Sequence, residues 1–302
     1  MEDCIIVGAG PAGLTAAIYL ARFHLSIRLF DCGSSRAAQI PCTHNHAGFP
    51  DGISGKDLLA RMLAQAEAYG AQREQARVTA IEPVDQGFVV SAETRRFRAR
   101  SVLMATGVTN NRPEGFADAL HARALAEGLL RYCPICDGYE VTDKRVAVIG
   151  TAEHGTREAL FLRGYTADLT LIAPGAEHEL DAQCVAQLDA AGIVRVDGPC
   201  GGYAIEDGCL ALDTVHGRLA FDSVYPALGT QVHCEPAVEA GAKTGRDGCL
   251  IVDTHQSTNI TGLFAAGDVV KGLDQISHAM GEGGVAATAI RNYLADLKPL
   301  RR

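Results

Sequence analysis

The sequence has no apolar run long enough to cross a bilayer, and it has fewer basic than acidic residues. Its apolar stretches are short and broken by glycine, proline or charge, whereas a membrane-spanning helix needs about 20 apolar residues. The 27 lysines and arginines against 36 aspartates and glutamates leave a net charge of −9, which is the wrong sign for neutralising phosphates or anionic lipid. We therefore expect neither a nucleic acid nor a membrane as a partner.

The amino terminus also lacks the pattern of a secretory signal. The chain begins Met1, Glu2, Asp3 and passes directly into an apolar strand pattern, with no basic segment and no apolar signal region before it. We therefore expect a cytoplasmic protein.

The ten cysteines are too widely spaced in 302 residues to form the dense disulfide framework of a small secreted domain. Only Cys133 and Cys136 are separated by two residues, and one such pair supplies half the ligands of a tetrahedral zinc site. Cys42, His44 and His46 would share a face in an extended chain, but no fourth ligand accompanies them. The sequence therefore predicts no metal site and favours redox chemistry at the Cys133–Cys136 pair.

Two strand–helix–strand units follow the same pattern, one at the start of the chain and one near its middle. The predicted elements are residues 3–8, 11–23 and 26–31 in the first unit, and residues 145–150, 155–163 and 168–173 in the second. The units align without a gap, which indicates an internal repeat. Alternating strands and helices predict an α/β fold with parallel sheets, and the length favours about two domains.

A glycine-rich loop joins the first strand to the first helix. Gly8 permits a tight turn, Gly10 lets a diphosphate approach the backbone, and Gly13 allows close packing of helix and sheet. The unpaired amides at a helix start favour an anion. Asp31, at the end of the next strand, is placed to accept the hydroxyls of a ribose.

The corresponding loop of the second unit has lost several of these features. Ala152 replaces the glycine at which a diphosphate approaches, and Ala173 stands where the first unit has Asp31. Glu153 and His154 lie in the loop itself, where a carboxylate repels phosphate unless it points away. The pattern leaves two interpretations open. The loop is either a working nicotinamide nucleotide site or an inherited scaffold that contributes only to packing.

The Cys133–Cys136 pair precedes the second unit. Two thiols at this spacing can close a short disulfide ring, and their pairing lowers the pKa of one thiol so that it attacks as a thiolate. Asp137 follows the pair directly and is a candidate proton carrier, because thiol–disulfide exchange moves protons as well as electrons.

Taken together, these motifs resemble those of the low-molecular-weight thioredoxin reductase family of flavoproteins. The segments that carry the resemblance are residues 7–13, 44–50, 52–55, 105–107, 133–138 and 262–268. The resemblance implies two Rossmann-like dinucleotide-binding domains, the second inserted into the first. It further implies a discontinuous FAD-binding domain of residues 1–112 and 231–302, an NAD(P)-binding-like domain of residues 113–230 that carries the cysteine pair, and a homodimer.

The same resemblance implies roles for individual residues. Cys136 would face the isoalloxazine ring, Cys133 would exchange with the substrate, and Asp137 would act as acid and base. Asp268 would hydrogen-bond the ribityl chain, and His278 is a candidate proton donor near the flavin or the dithiol. The residues implied to bind FAD are Gly8, Gly10, Ala12, Gly13, Asp31, Gln39, Asn45, Thr106, Gly107, Gly267, Asp268, Gln275 and Ile276.

Departures from the family pattern leave the electron donor open. NADPH-dependent members have a Gly-x-Gly-x-x-Ala second loop and a later arginine cluster, whereas this chain has Gly150-x-Ala152-x-x-Gly155 and no arginine in 173–175. Three alternatives remain for the reaction. The protein could reduce a thioredoxin-like protein with NADPH, or it could oxidise a small dithiol with dioxygen, as the similar flavoprotein dithiol oxidases do. It could also be a reductase that takes its electrons from ferredoxin. A non-catalytic flavin redox sensor is an alternative of another class.

Overall fold

The computed structural model describes residues 1–298 and 300. Its strands are β1 (Glu2–Val7), β2 (Ile27–Asp31), β3 (Gln72–Gln75), β4 (Val78–Val84), β5 (Gly87–Ala92), β6 (Arg95–Met104), β7 (Val108–Asn110), β8 (Val146–Ile149), β9 (Leu169–Ile172), β10 (Val194–Val196), β11 (Gly201–Glu206), β12 (Cys209–Thr214), β13 (Gly217–Phe221), β14 (Ser223–Pro226), β15 (Thr230–Val232) and β16 (Leu263–Ala265). Its helices are α1 (Pro11–Arg22), α2 (Gly55–Ala68), α3 (Asp118–Ala126), α4 (Pro134–Asp137), α5 (Ala152–Leu162), α6 (Ala182–Ala190), α7 (Glu235–Glu239) and α8 (Ile276–Leu297), with 3-10 turns at Arg36–Gln39 and Tyr139–Val141. The α/β class predicted from the alternation of elements is confirmed.

The larger sheet has seven strands in the order β3-β2-β1-β6-β5-β4, with β16 against β6. The β1 strand pairs in parallel with β2 and β6, so the carboxyl ends of these strands meet at one edge. Its apolar residues Cys4 to Val7 are buried, as a strand covered on both faces requires. We call this sheet with helices α1, α2 and α8 the main lobe.

The second parallel sheet has the order β10-β9-β8-β14, and an antiparallel sheet β11-β12-β13 accompanies it. We call these sheets with helices α3 to α6 the inserted lobe, because all their strands lie between β7 and β15 in the chain. The β7 and β15 strands pair antiparallel to each other and join the two lobes. This topology is in keeping with an insertion; the domain limits 1–112, 113–230 and 231–302 stay a prediction.

The first strand–helix–strand unit forms almost as predicted, whereas the helix of the second starts early. The α5 helix begins at Ala152 rather than near residue 155. Its cap, Thr151, is extended, and Ala152 has a φ of +51°, in the left-handed region that glycine adopts most easily. Among residues 1–298 and 300, no helix is long and apolar enough to span a membrane.

Candidate active site

A cavity of about 630 Å³ extends from the β1–α1 loop of the main lobe to the cysteine pair of the inserted lobe. This volume lies within the roughly 300–1,000 Å³ of small-molecule and cofactor sites. The sequence-predicted residues that line it are Gly8, Gly10, Ala12, Asp31, Gln39, Asn45, Thr106, Gly107, Cys133, Cys136, Asp137, Gly267, Asp268, Gln275 and Ile276. The fold thus brings the glycine loop and the sulfur pair to one cavity, although more than a hundred residues separate them in the chain.

Close backbone packing explains the glycines of the first loop. Gly8 has a φ of +109°, and a Cβ there would lie 2.2 Å from the carbonyl oxygen of Ala105. A Cβ on Gly13 would lie 1.9 Å from the Gly8 carbonyl oxygen, so Gly13 packs α1 on the loop rather than lining the cavity. The α1 helix begins after Gly10 without a side-chain cap from any described residue. Its first amides therefore remain available to an anion.

Two carboxylates in the cavity wall are paired with arginines. Asp31 accepts hydrogen bonds from the Gly33 amide at 2.9 Å and from Arg73 at 2.7 Å. Asp268 accepts one from Arg36 at 3.1 Å, and Arg36 also reaches Asp274 at 3.0 Å.

The side chain of Asp268 is largely buried. Burial, followed by the nearby charge of Asp274, raises the pKa of the Asp268 carboxyl, and Arg36 opposes that rise. No motif pointed to Arg36, because its two partners follow it by more than 200 residues.

The cysteine pair is closed as a disulfide between Cys133 and Cys136. The side chain of Gln275 donates through Nε2 to both sulfurs, at 3.2 Å to Cys133 and 3.1 Å to Cys136. Asn45 donates through Nδ2 to Gln275 Oε1 at 3.0 Å and to the Ile135 carbonyl at 3.4 Å. Main-lobe side chains therefore hold the disulfide of the inserted lobe.

Asp137 lies next to the disulfide with its carboxyl largely buried. Its Oδ2 accepts a hydrogen bond from Arg131 at 2.9 Å, and its Oδ1 accepts one from the Tyr225 hydroxyl at 2.9 Å. Burial raises the pKa of this carboxyl, while Arg131 and Tyr225 oppose the rise. A carboxyl with a raised pKa is better suited to exchanging protons near neutral pH. Tyr225, far along the chain, gave no sequence signal.

His278 does not join this group. It lies outside the cavity lining and pairs with Glu282, its Nε2 lying 3.0 Å from the Glu282 carboxylate. The other oxygen of Glu282 accepts the amide of Gly267 at 2.7 Å. The ring of His278 therefore contacts a carboxylate that also holds the turn before Asp268, and its role as a proton donor near the flavin or the dithiol stays a prediction.

The loop of the second unit is occupied by the chain's own groups. The hydroxyl of Thr151, the cap of α5, accepts the amide of Glu179 at 2.7 Å. At the end of β9, Ala173 is buried, and a Cβ on Gly198 would lie 2.5 Å from the Ala173 carbonyl oxygen. The backbone of Gly198 therefore packs closely against the end of β9.

Acidic and histidine side chains complete the surroundings of this second loop. His154 lies 3.3 Å from Glu158 on α5, and Glu153 is exposed. Burial raises the pKa of Glu158 to about 7, against the charges of Arg157 and Arg36. The guanidinium of Arg157 lies 3.2 Å from Nδ1 of His154.

The histidine and cysteine side chains of residues 42–46 differ in their surroundings: two face the cavity and one is buried. Cys42 and His44 line the cavity, and His46 is buried with its Nδ1 at 3.1 Å from the hydroxyl of Ser277. In the described part of the chain, no group of three or more histidine, cysteine, aspartate or glutamate residues is arranged to hold a metal ion.

Comparisons with known proteins agree with this geometry. Residues 2–283 match the family described as pyridine nucleotide-disulphide oxidoreductase. The chain is 29% identical over 312 residues to thioredoxin reductase of Listeria monocytogenes, covering 98% of this chain and 95% of that protein. Thioredoxin reductase from Streptococcus pyogenes superimposes with a TM-score of 0.87 at 26% identity, over 98% and 99% of the two chains.

A further solved structure, of a protein named HlmI, superimposes with a TM-score of 0.88 at 28% identity, over 98% of this chain and 93% of that one. These matches run over nearly the whole chain, and they confirm the resemblance seen in the motifs. The chain belongs to the pyridine nucleotide-disulphide oxidoreductase family, and within it to the flavoprotein disulfide oxidoreductases that resemble low-molecular-weight thioredoxin reductase.

Proposed function

We propose that this protein is an FAD-dependent thiol–disulfide oxidoreductase that moves electron pairs between FAD and the Cys133–Cys136 pair. The observation that carries the proposal is the shared cavity, in which the disulfide and the glycine loop of α1 line the same space. A loop of this kind suits a diphosphate, and a disulfide suits a two-electron exchange.

The residues of the main lobe fit FAD. The uncapped start of α1 offers amides to a diphosphate, and a Cβ at Gly10 would meet nothing closer than 3.6 Å, so the backbone can be approached there. Asp268 would accept hydrogen bonds from hydroxyls of the ribityl chain, and Asp31 would accept them from the ribose. Each carboxylate has acceptor positions for these hydroxyls besides the one its arginine uses.

When bound, FAD supplies a centre that takes up or gives out two electrons. In the exchange half of the reaction, Cys133 as a thiolate attacks a disulfide of the substrate, and one substrate sulfur leaves as a thiolate. The Cys136 thiolate then attacks Cys133, which closes the disulfide seen here and releases the second substrate sulfur. Asp137 holds or delivers the proton that these sulfurs gain or lose. The reverse sequence oxidises a dithiol.

We further propose that the second loop does not bind NADPH productively. The hydroxyl of Thr151 is engaged by Glu179, and the left-handed backbone at Ala152 differs from that at Gly10, whose φ is −76°. This proposal favours a dithiol or a protein reductant as the source of electrons. The final acceptor would then be dioxygen or a disulfide partner.

Anaerobic mixing separates these alternatives. The purified protein should carry a yellow flavin band that bleaches with a dithiol such as dithiothreitol and persists with excess NADPH. Rapid bleaching by NADPH would overturn the proposal for the second loop and restore an NADPH-dependent reductase. Bleaching by a reduced ferredoxin alone would assign the third alternative.

Cysteine variants test the site itself. Cys133→Ser and Cys136→Ser should each abolish turnover, whereas Cys209→Ser, a cysteine of β12 outside the cavity lining, should retain it. Full activity in either of the first two variants, or protein that cannot be loaded with FAD, would refute the proposed function. A redox sensor would instead show no turnover with any donor in the unaltered protein.

We also propose a homodimer and, as substrate, a thioredoxin-like protein or a small molecule that carries a dithiol or disulfide. The relatives named thioredoxin reductase support the first kind of substrate. Turnover of a protein disulfide and of a small cyclic disulfide, measured side by side, distinguishes the two. Sedimentation equilibrium gives the mass of the protein in solution and so distinguishes the proposed homodimer from a monomer.

A further inference from the structure

The amide of Gln275 faces the disulfide with a defined orientation. Its Nε2 also donates to the carbonyl of Asp274 at 3.0 Å, and a carbonyl can only accept. On its other side, Oε1 receives the Nδ2 of Asn45. The nitrogen of Gln275 must therefore point towards the sulfurs, with one N–H for the carbonyl and the other shared between the two sulfurs.

The orientation of Asn45 is defined by its own neighbours. Its Nδ2 reaches the Ile135 carbonyl as well as Gln275, and its Oδ1 accepts the hydroxyl of Thr43 at 2.9 Å. Because the Ile135 carbonyl can only accept, Asn45 must present nitrogen on that side. Thr43 therefore donates to Asn45, Asn45 donates to Gln275, and Gln275 donates to the two sulfurs.

We propose that Gln275 is the hydrogen-bond donor that stabilises the thiolate formed when the Cys133–Cys136 disulfide is reduced, and that Asn45 is the positioning residue that keeps the amide in this orientation. The proposal rests on the proposed thiol–disulfide function and assigns to both residues a role towards sulfur.

The chemistry of sulfur explains why this donor matters most after reduction. When a dithiol delivers two electrons, the S–S bond breaks and the dithiol becomes a disulfide. Of its two protons, one passes to a sulfur of the chain to make a thiol and the other passes to Asp137 or to solvent, so that the second sulfur is left as a thiolate. A disulfide sulfur is a weak acceptor, whereas a thiolate carries a full charge and makes a charge-assisted hydrogen bond. The Gln275 amide therefore favours the reduced pair over the disulfide and lowers the pKa of the thiol it contacts.

The same geometry makes this stabilisation depend on the arrangement of the lobes. Asn45 and Gln275 belong to the main lobe, while the sulfurs and the Ile135 carbonyl belong to the inserted lobe. The donor reaches sulfur only where the inserted lobe places the pair at the cavity. Thiolate stabilisation is thus specific to the position in which the sulfurs line that cavity.

The thiol pKa tests the proposal without requiring turnover. The FAD-loaded protein is reduced with dithiothreitol, freed of reductant under anaerobic conditions and alkylated with iodoacetamide across a pH series. The tryptic peptide of residues 132–144 contains Cys133 and Cys136 and no other cysteine, so mass spectrometry reads these two thiols alone. Gln275→Leu should raise the lower of the two pKa values by about one unit, which is a tenfold loss of thiolate at a pH below it.

Two further variants keep the test informative. Gln275→Glu retains the acceptor towards Asn45 but places a carboxylate at the sulfurs, so it should raise the thiol pKa by more than Gln275→Leu does. Asn45→Leu removes the donor to Gln275 Oε1 without adding a charge and should raise the thiol pKa as well. In a background of Gln275→Leu, Asn45→Leu should add little, because its effect passes through the amide.

Matched controls separate this effect from general disturbance. Asn292→Leu makes the matching change for Asn45→Leu on the exposed face of α8, and Gln65→Leu makes the matching change for Gln275→Leu on the exposed face of α2; both should leave the thiol pKa unchanged. An unchanged thiol pKa in both Gln275 variants would overturn the role of Gln275. A full Asn45→Leu effect in the double variant would overturn the positioning role. Failure of the proposed function would appear separately, as unaltered protein that binds no FAD or needs neither cysteine.

Discussion

The hydroxyl of Tyr225 lies 2.9 Å from Oδ1 of Asp137, and it joins the last strand of the inserted lobe's parallel sheet to the carboxyl beside the disulfide. Tyr225 is fully buried, so its hydroxyl has a fixed position. Burial raises its own pKa, and it remains a neutral donor. The protonation of Asp137 is therefore set by the inserted lobe itself.

Removing this donor should move the titration of Asp137. In Tyr225→Phe the carboxylate loses a hydrogen bond that lowers its pKa, so the pKa should rise further. In a plot of the exchange rate with a small disulfide against pH, the part of the curve that requires protonated Asp137 should then extend to higher pH. When Asp137→Asn is already present, Tyr225→Phe should not change the pH profile. An unchanged pH profile in Tyr225→Phe alone would contradict the proposed titration of Asp137.

Replacing the carboxyl should slow the proton transfer itself. Asp137→Asn keeps the size of the side chain but cannot exchange a proton, so turnover should fall about 100-fold or more. Stopped-flow measurement of the exchange step gives the rate. Asp143→Asn, an exposed aspartate with a φ of +57° that asparagine tolerates, is the control and should leave the rate unchanged. A loss in Asp137→Asn of less than about threefold would exclude a proton-transfer role.

Glu158 should make stability depend on pH. Its pKa is raised from 4.5 to about 7, and its Oε2 has no hydrogen-bond partner within residues 1–298 and 300. A raised pKa in the folded state means that this contribution to stability is complete below pH 4.5 and is lost as the pH rises through 7. Glu158→Gln stays neutral and should be more stable than the unaltered protein at pH 8 by about 2 kcal/mol.

Urea unfolding at pH 4.5 and pH 8 measures this difference. The advantage of Glu158→Gln should nearly vanish at the lower pH, where the carboxyl is protonated in the folded chain and about half protonated in the unfolded chain. Glu153→Gln, on the same helix but exposed, should show no dependence of this kind. Equal stability of Glu158→Gln and the unaltered protein at both pH values would refute the prediction.

The packing of the first loop should tolerate no side chain at Gly13. In Gly13→Ala the new methyl group would meet the Gly8 carbonyl at 1.9 Å, so the loop or α1 must shift. We expect a loss of about 3 kcal/mol in the free energy of unfolding together with weaker retention of FAD. Thermal denaturation and the flavin-to-protein absorbance ratio measure the two effects.

The control for Gly13→Ala is a second helical glycine. A Cβ on Gly281 in α8 would meet no described atom within 4 Å beyond its neighbours and the adjoining backbone of its own helix, and alanine should stabilise the helix by up to about 1 kcal/mol. If Gly13→Ala proved as stable as Gly281→Ala, the close contact between α1 and the loop would not exist in solution.

Several features of the site could be read from the chain because their chemistry is local. The β1–α1 loop follows from glycine spacing after an apolar strand, and the redox pair follows from two cysteines at a spacing that closes a small ring. The repeat of strand–helix–strand units predicted the parallel sheets that the structure contains. The early start of α5 was not predicted, since a left-handed alanine has no sequence signature.

Other features depend on which distant segments meet, and no periodicity encodes that. Gln275 and Asn45 were expected near a flavin. Their hydrogen bonds to the disulfide and its loop exist only because the start of α8 and the loop that carries Asn45 reach the inserted lobe. His278 lies near Gln275 in sequence, but its ring is turned to Glu282 on the same helix.

The sequence by itself determined the α/β class, the glycine loop before α1 and the closely spaced Cys133–Cys136 pair, because strand and helix patterns and the spacing of glycines and cysteines are local features of the chain. Tertiary structure alone decided which groups contact that pair and its neighbour: Arg131 and Tyr225 at Asp137, and Gln275 at the disulfide. Hydrogen bonding and burial act over a few ångströms in space whatever the separation along the chain, so these partners emerge only when the two lobes close around one cavity.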